Sequence, residues 1–166
     1  YYGVNSELLV RTAGGGVNLA LAGGSMAGTI AVRDGALKSL RDGLDGLAAS
    51  LIAEVNTVHR AGFSLTGSTG EDFFTGTSAA TLGVNGVLVA DPGLVQLAGV
   101  AGAAGDNAVG LALAHLGGTA WAALGNQTFA GDYGRLVGML GEDLRGANDQ
   151  VAAHGAVARM LQQQRD

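Results

Sequence analysis

The chain carries two long series of apolar residues, most of them three or four positions apart, a pattern typical of a helix with one apolar face. This spacing predicts long helices at residues 25–61 and 129–166. A face of this length needs a partner, so it favours a structural, partner-binding protein over an enzyme. The apolar positions are Met26, Ile30, Leu37, Leu40, Leu44, Leu47, Leu51, Val55 and Val58 in the first series, and Phe129, Tyr133, Leu136, Val137, Leu140, Leu144, Ala147, Val151, Ala158 and Leu161 in the second.

Glycines interrupt both predicted helices. Each destabilises a helix interior by up to about 1 kcal/mol relative to alanine, so together they reach the order of a domain's net stability. Isolated helices would not tolerate this, and we therefore expect other helices to pack closely against them. The glycines are Gly35, Gly43 and Gly46 in the first helix, and Gly134, Gly138, Gly141, Gly146 and Gly155 in the second.

The remaining segments predict smaller elements. Residues 6–22 alternate in polarity around the run Gly14-Gly15-Gly16, which is typical of a β-hairpin. Residues 63–104 predict an irregular segment with some β structure, and residues 106–117 predict a short helix. The fold class is therefore mainly α (α+β), an antiparallel helical bundle or coiled coil with an N-terminal hairpin. We expect residues 1–166 to form a single domain fragment.

Helix-end signals single out four residues. His59 lies in the last turn of the first helix, where a cation interacts well with the helix dipole. Gly62 follows, where a left-handed residue commonly ends a helix. Asp106 and Asn107 are both good N-caps for the short helix.

Composition excludes several classes of function. The formal net charge is −5 with no basic cluster, which argues against nucleic-acid binding. No apolar run is long enough to span a membrane, and the first residues lack the features of a signal peptide. The absence of Cys excludes disulfides and thiolate metal sites. The chain does not start with Met, and its last helix carries no stop signal, so we expect an excised fragment.

The titratable residues do not form a recognisable catalytic pattern. The three histidines are far apart in sequence, whereas a zinc site needs clustered ligands. Glu71 and Asp72 are adjacent on a loop and predict solvated charges rather than an acid–base pair. We therefore predict no catalytic residue, no metal and no cofactor.

Arg33 interrupts the apolar stripe of the first helix, and Asp34 follows it. An arginine on an apolar stripe is unfavourable unless it is paired. Two interpretations stay open: an ion pair or carbonyl clamp at an interdomain or intersubunit contact, and a side chain that extends to the surface.

Several segments in order resemble the bacterial flagellar hook-associated protein 1 (FlgK) family. Residues 23–34 (GGSMAGTIAVRD) resemble that family's entry into a helix, and residues 54–67 (EVNTVHRAGFSLTG) resemble its Asn-x-x-His segment. Residues 71–74 (EDFF), 105–114 (GDNAVGLALA) and the start of the last helix at 129–133 are also similar to family segments. The matching positions give the candidate structural or interface residues Arg33, Asp34, Asn56, His59, Gly62, Phe73, Phe74, Asp106 and Asn107.

Two departures from the family pattern are visible: Ser64 stands where Asp is usual, and the helices are richer in Gly. The family also has an N-terminal half and a further terminal helix that this sequence lacks. We therefore expect a fragment of the C-terminal half.

The resemblance implies a structural, non-catalytic component of the bacterial flagellum at the hook–filament junction. It implies extracellular localisation after export by the flagellar type III system, and a self-assembled ring of like subunits. The expected partners are the hook protein, the second junction protein, and an export chaperone that binds terminal helices absent here. The alternatives are another axial protein (the second junction protein, hook protein or flagellin), a generic coiled-coil adaptor, and a small-molecule-binding or enzymatic helical domain.

Overall fold

The fold is mainly helical. The computed structural model describes residues 2, 8–11, 14, 16, 18–21, 23–103 and 105–165. The first predicted helix consists of α1 (Gly24–Ala31), a π-helical segment (Val32–Leu37) and α2 (Lys38–Arg60). A π turn contains more residues than an α turn, so the apolar stripe does not stay on one straight face where Arg33 interrupts it.

Three further helices follow. The short helix α3 (Gly86–Ala90) lies within the predicted irregular segment, and Asn85 caps it by accepting a hydrogen bond from the N–H of Val87. Helix α4 (Ala108–Leu116) lies where a short helix was predicted at 106–117, and α5 (Phe129–Arg165) where a long helix was predicted at 129–166. Single 3₁₀ turns lie at Pro92–Leu94 and Ala122–Leu124.

Two small antiparallel sheets complete the fold. In the N-terminal hairpin, β1 (Val10–Arg11) pairs with β2 (Asn18–Leu19), with Val10 opposite Leu19. In the irregular segment, β3 (Phe74–Thr75) pairs with β4 (Gly83–Val84), with Phe74 opposite Val84. The prediction of a mainly α fold with a hairpin and a small β segment is confirmed. Parts of three predictions lie outside the described residues, namely positions 6, 7, 12, 13, 15, 17 and 22 of the hairpin, position 104 of the irregular segment and Asp166 of the last helix.

The chain divides into two compact units, 1–41 with 137–166 and 42–136. In the first unit no described residue is buried. The second unit contains the apolar core, whose members are Ala48, Ile52, Leu88, Val109, Leu124 and Leu136. The prediction of a single domain stays a prediction.

Within the second unit, one helix glycine has a clear packing role. A methyl group on Gly43 would lie 2.3 Å from a terminal carbon of Leu136, so only glycine allows this leucine to pack so closely. Leu136 is 3% exposed. Gly46, one turn further along α2, has no atom within 4 Å of an added methyl group. Close packing therefore accounts for Gly43 but not for Gly46.

Candidate functional site

The buried face at the C-terminal end of α2 is partly polar. Ala48 and Ile52 are followed on the same helix face by Asn56, 5% exposed, and His59, fully buried. Buried polar groups are stable only when they are hydrogen-bonded. The contacts of these two side chains therefore indicate what this end of the helix does.

Asn56 holds the backbone of the loop that leads into β3. Its Oδ1 accepts hydrogen bonds from the N–H groups of Phe73 (3.0 Å) and Phe74 (2.8 Å). Its Nδ2 donates to the carbonyl oxygen of Phe74 at 2.9 Å. An asparagine side chain has both an acceptor and a donor, so it satisfies both kinds of backbone group at once.

His59 joins two loop segments that are far apart in sequence. Its Nε2 accepts a hydrogen bond from the N–H of Gln96 at 3.0 Å, and its Nδ1 lies 2.8 Å from the carbonyl oxygen of Glu71. Because the Gln96 N–H is a donor, Nε2 must be the unprotonated nitrogen, and Nδ1–H donates to Glu71. Both ring nitrogens are thereby engaged with backbone groups.

The two phenylalanines pack next to this histidine. The ring of Phe73 meets His59 edge to face with centroids 5.4 Å apart, and it meets Phe74 in the same way at 4.9 Å. Edge-to-face contacts of this kind are favourable beyond the apolar area that they bury. The structure thus brings together four of the predicted residues, Asn56, His59, Phe73 and Phe74, in one cluster, which we call the bracing cluster.

Gly62 adjoins the bracing cluster, but the predicted reason for it was wrong. It is not among the residues of the described chain with positive φ, so it does not form a left-handed helix cap. It is instead needed for close approach, since a methyl group there would lie 2.6 Å from the carbonyl oxygen of Gln96. The next residue, Phe63, pairs with Ala98 through two backbone hydrogen bonds of 2.8 and 3.2 Å.

Arg60 and Asp72 form an ion pair beside the bracing cluster. Arg60 Nε lies 2.5 Å from Asp72 Oδ1, and both side chains are more than one third exposed. The hydrogen bond and the charge of Asp72 raise the pKa of Arg60 above its usual value. An exposed pair contributes little to stability, so it supports the loop only modestly.

Asp106 and Asn107 lie at the start of α4, away from the bracing cluster in sequence. Asn107 occupies the N-cap position but makes no capping bond with its side chain. Asp106 makes that bond, because its Oδ1 accepts from the N–H of Ala108 at 3.0 Å. Its Oδ2 accepts from the N–H groups of Gly99 (2.8 Å) and Val100 (3.2 Å). These bonds lower the pKa of Asp106, with the largest effect from Ala108.

Arg33 and Asp34 lie in the other compact unit. They contact each other as an ion pair, and the Arg33 guanidinium lies 5.0 Å from the centre of the Tyr2 ring, within the range of a cation–π interaction. Asp34 Oδ2 accepts a hydrogen bond from the N–H of Leu8 at 2.7 Å. The pair thus connects the π-helical segment to Tyr2 and Leu8 in the N-terminal part of the chain. Neither of the two sequence interpretations specified this contact.

The buried polar residues that the sequence analysis did not identify include Ser64, Asp132 and Gln96. Ser64, 5% exposed, accepts at Oγ from the N–H groups of Thr66 (3.2 Å) and Ser68 (3.1 Å) and contacts both of their hydroxyl groups. Asp132 is 2% exposed, and its Oδ1 accepts from Nε and Nη2 of Arg135, three residues along α5. Gln96 is fully buried beside Gly62. Only the Ser64-x-Thr66 spacing, which allows a serine-capped turn, could have indicated any of these from sequence.

The described part of the chain contains no helix that is both long and apolar enough to cross a membrane.

The described helices, with the buried bonds between their side chains and the loop backbone, define a mainly α-helical protein. Residues 4–74, which contain α1, α2 and the bracing cluster, match the family model described as the flagellar hook-associated protein FlgK helical domain. This match covers 71 of the 166 residues and makes the chain similar to the FlgK family of flagellar hook-associated proteins, which are structural components of the flagellum outside the cell. No curated protein and no solved structure matches the chain.

Proposed function

We propose that this chain is part of a non-catalytic junction protein that joins the flagellar hook to the filament and assembles as a ring of like subunits. The observation that carries this proposal is the family match at residues 4–74. The proposed partners are the hook protein and the second junction protein, with an export chaperone binding through terminal helices of the parent chain. We also propose that the protein leaves the cell through the flagellar type III system.

The bracing cluster supports a structural role. Both nitrogens of the buried His59 ring are engaged with backbone groups. Glu71 takes part through its carbonyl oxygen rather than its carboxylate, and Asp72 pairs with Arg60. A pocket that gathered the side chains of His59, Glu71 and Asp72 would have favoured an enzyme. Here His59 binds loop backbone, and Asp72 pairs with Arg60. His59 is buried with both ring nitrogens bonded, so it does not resemble an exposed catalytic base.

The exposed stripe of α5 supports assembly with partner helices. Between residues 137 and 165 its apolar positions keep a heptad spacing, and every described residue except Gly155 is exposed. Val137 is 50%, Leu144 62% and Val151 73% exposed. Apolar positions at this spacing form the seam of a coiled coil when a second helix covers them. We therefore propose that α5 pairs with partner helices in the assembled flagellum.

The test replaces Leu144 and Val151 by Asp in the full-length parent protein, in cells that lack the native copy. We expect loss of motility and release of filament subunits into the medium, because a charged seam cannot pack against a helix. The matched control changes Glu142 and Asp149, which lie off the seam, to Gln and Asn and should keep motility.

Immunogold labelling of the unaltered protein shows where along the flagellum it is located. Label confined to the boundary between hook and filament supports the junction role. Label along the filament or the hook would assign the chain to another axial protein. Full motility of the Leu144→Asp/Val151→Asp variant would contradict assembly through α5.

A further inference from the structure

The surface of the second unit has acidic and apolar residues but almost no cations. Between Arg60 and Arg135 the sequence contains no Lys or Arg, whereas it contains five carboxylates. Arg60 and Arg135 themselves pair with Asp72 and Asp132. Any partner that carries positive charge is therefore attracted to this stretch, and any acidic partner is repelled.

A groove of about 430 Å³ lies in this stretch. Its walls include the apolar residues Phe63, Leu65, Pro92, Val95 and Leu97. Leu65 is 89% exposed and Leu97 42% exposed. Single exposed apolar side chains are common, but contiguous apolar surface of this kind is typical of binding sites.

Backbone hydrogen bonds join the two walls of the groove. The N–H of Leu65 donates to the carbonyl oxygen of Gly93 at 3.1 Å, and Phe63 and Ala98 exchange two further bonds. Ser64 fixes the turn that presents Leu65. Both walls are thus tied to each other before anything binds, which reduces the conformational entropy lost on binding.

The charges beside the groove are negative. Asp106 is one of the lining residues, and Asp91 precedes Pro92 in the wall. Among the described residues no cationic side chain forms an ion pair with either of them. An aspartate carboxylate is ionised at neutral pH, and the backbone hydrogen bonds lower the pKa of Asp106 further.

We propose that this groove binds a segment of a partner protein that presents an apolar side chain flanked by Lys or Arg. The apolar side chain packs against Leu65 and Leu97, and the cations lie near Asp91 and Asp106. This inference does not depend on where in the flagellum the chain is placed.

The test measures binding of a fluorescent peptide of alternating Leu and Lys to the 166-residue chain, with a Leu–Glu peptide of equal length as the charge control. We expect the Leu–Lys peptide alone to bind, and added salt to weaken that binding. Leu65→Ser should reduce the affinity about tenfold, the effect of losing most of one buried leucine contact. Asp91→Asn should reduce it about threefold and make it less sensitive to salt.

Val89→Ser is the matched control, since Val89 is 66% exposed and does not line the groove. It should leave the affinity unchanged. Equal binding of the two peptides, or equal losses from Leu65→Ser and Val89→Ser, would overturn the proposal. The alternative occupant is a second copy of the chain, and sedimentation of the chain alone tests for it. Self-association that Leu65→Ser abolishes would assign the groove to that second copy and overturn the proposal.

Discussion

The side chain of His59 accepts a hydrogen bond from the backbone N–H of Gln96, although the two residues are 37 positions apart. The bond joins the end of α2 to a loop that has no regular structure of its own at that point. Gly62 makes the approach possible, because its missing side chain leaves room for the Gln96 carbonyl. Three residues therefore act together to place the 95–98 segment against the helix.

Gly62→Ala should separate this segment from α2. The new methyl group would lie 2.6 Å from a backbone oxygen and 3.0 Å from a backbone carbon, and neither can move alone. We expect the free energy of unfolding to fall by about 1–3 kcal/mol, as for overpacked sites. Hydrogen exchange should show lost protection of the Gln96 amide. Unchanged protection at that amide would contradict the role assigned to Gly62.

Asn56→Ala should destabilise the bracing cluster. It leaves the N–H groups of Phe73 and Phe74 without their acceptor, and unsatisfied buried donors are unfavourable. We expect the free energy of unfolding to fall by about 2–4 kcal/mol in denaturant titration. The neighbouring exposed Thr57→Ala is the control and should change it by less than about 0.5 kcal/mol. Similar losses in both variants would argue against a special role for Asn56.

The helices were predictable because their apolar spacing extends over many turns. The buried face of α2 was less predictable, because the predicted stripe contains Leu51 and Val55. The buried residues of α2 are instead Ala48, Ser50, Ile52, Asn56 and His59. Apolar periodicity cannot detect a face whose C-terminal end is polar. Asn56, Phe73 and Phe74 were singled out only through the resemblance to the family, whereas His59 and Gly62 were also indicated by helix-end signals.

The loop contacts could not be derived from sequence. Gln96 and Ser64 lie in segments without periodicity, and their burial depends on backbone bonds to distant residues or on a local turn. Glycine illustrates the same limit, because Gly43 and Gly46 look equivalent in the sequence but have different surroundings in the structure.

Ser64→Ala and Ser64→Asp test whether serine replaces the aspartate that is usual in the family. Ser64 Oγ accepts from two backbone N–H groups in a buried turn. Its removal should lower the free energy of unfolding by about 1–3 kcal/mol. A carboxylate can accept the same bonds, so Ser64→Asp should match or exceed the unaltered chain. Leu65→Ala, at an 89% exposed position, is the control and should have little effect. A destabilised Ser64→Asp variant would show that the two side chains are not equivalent here.

Asp106 should make stability depend on pH. Its folded-state pKa is lowered by the N–H groups of Ala108, Gly99 and Val100, so folding favours the ionised form. The stabilisation is fully present above the unfolded pKa of about 4 and is lost as the pH falls through the folded pKa. Asp106→Asn should therefore lower the denaturation midpoint at neutral pH. The difference in midpoint between this variant and the unaltered chain should become smaller at acidic pH.

Asp149→Asn, at an exposed position of α5, is the control for that measurement and should show no such difference at either pH. A difference in denaturation midpoint between Asp106→Asn and the unaltered chain that stays constant from neutral to acidic pH would contradict this prediction. That result would show that Asp106 stabilises the fold through its hydrogen-bonding geometry and not through its charge.

Gly43→Ala and Gly46→Ala form a matched pair in α2 with opposite expected signs. Both replace glycine in a helix interior, which by itself favours alanine by up to about 1 kcal/mol. At Gly46 nothing lies within 4 Å of the added methyl group, so we expect the free energy of unfolding to rise by about that amount. At Gly43 the methyl group would lie 2.3 Å from Leu136, which must move out of its buried position. We expect a net loss of about 1–3 kcal/mol there. Denaturant titration followed by circular dichroism measures the free energy of unfolding of both variants. If that free energy changes with the same sign in both, Leu136 does not need the space that Gly43 provides.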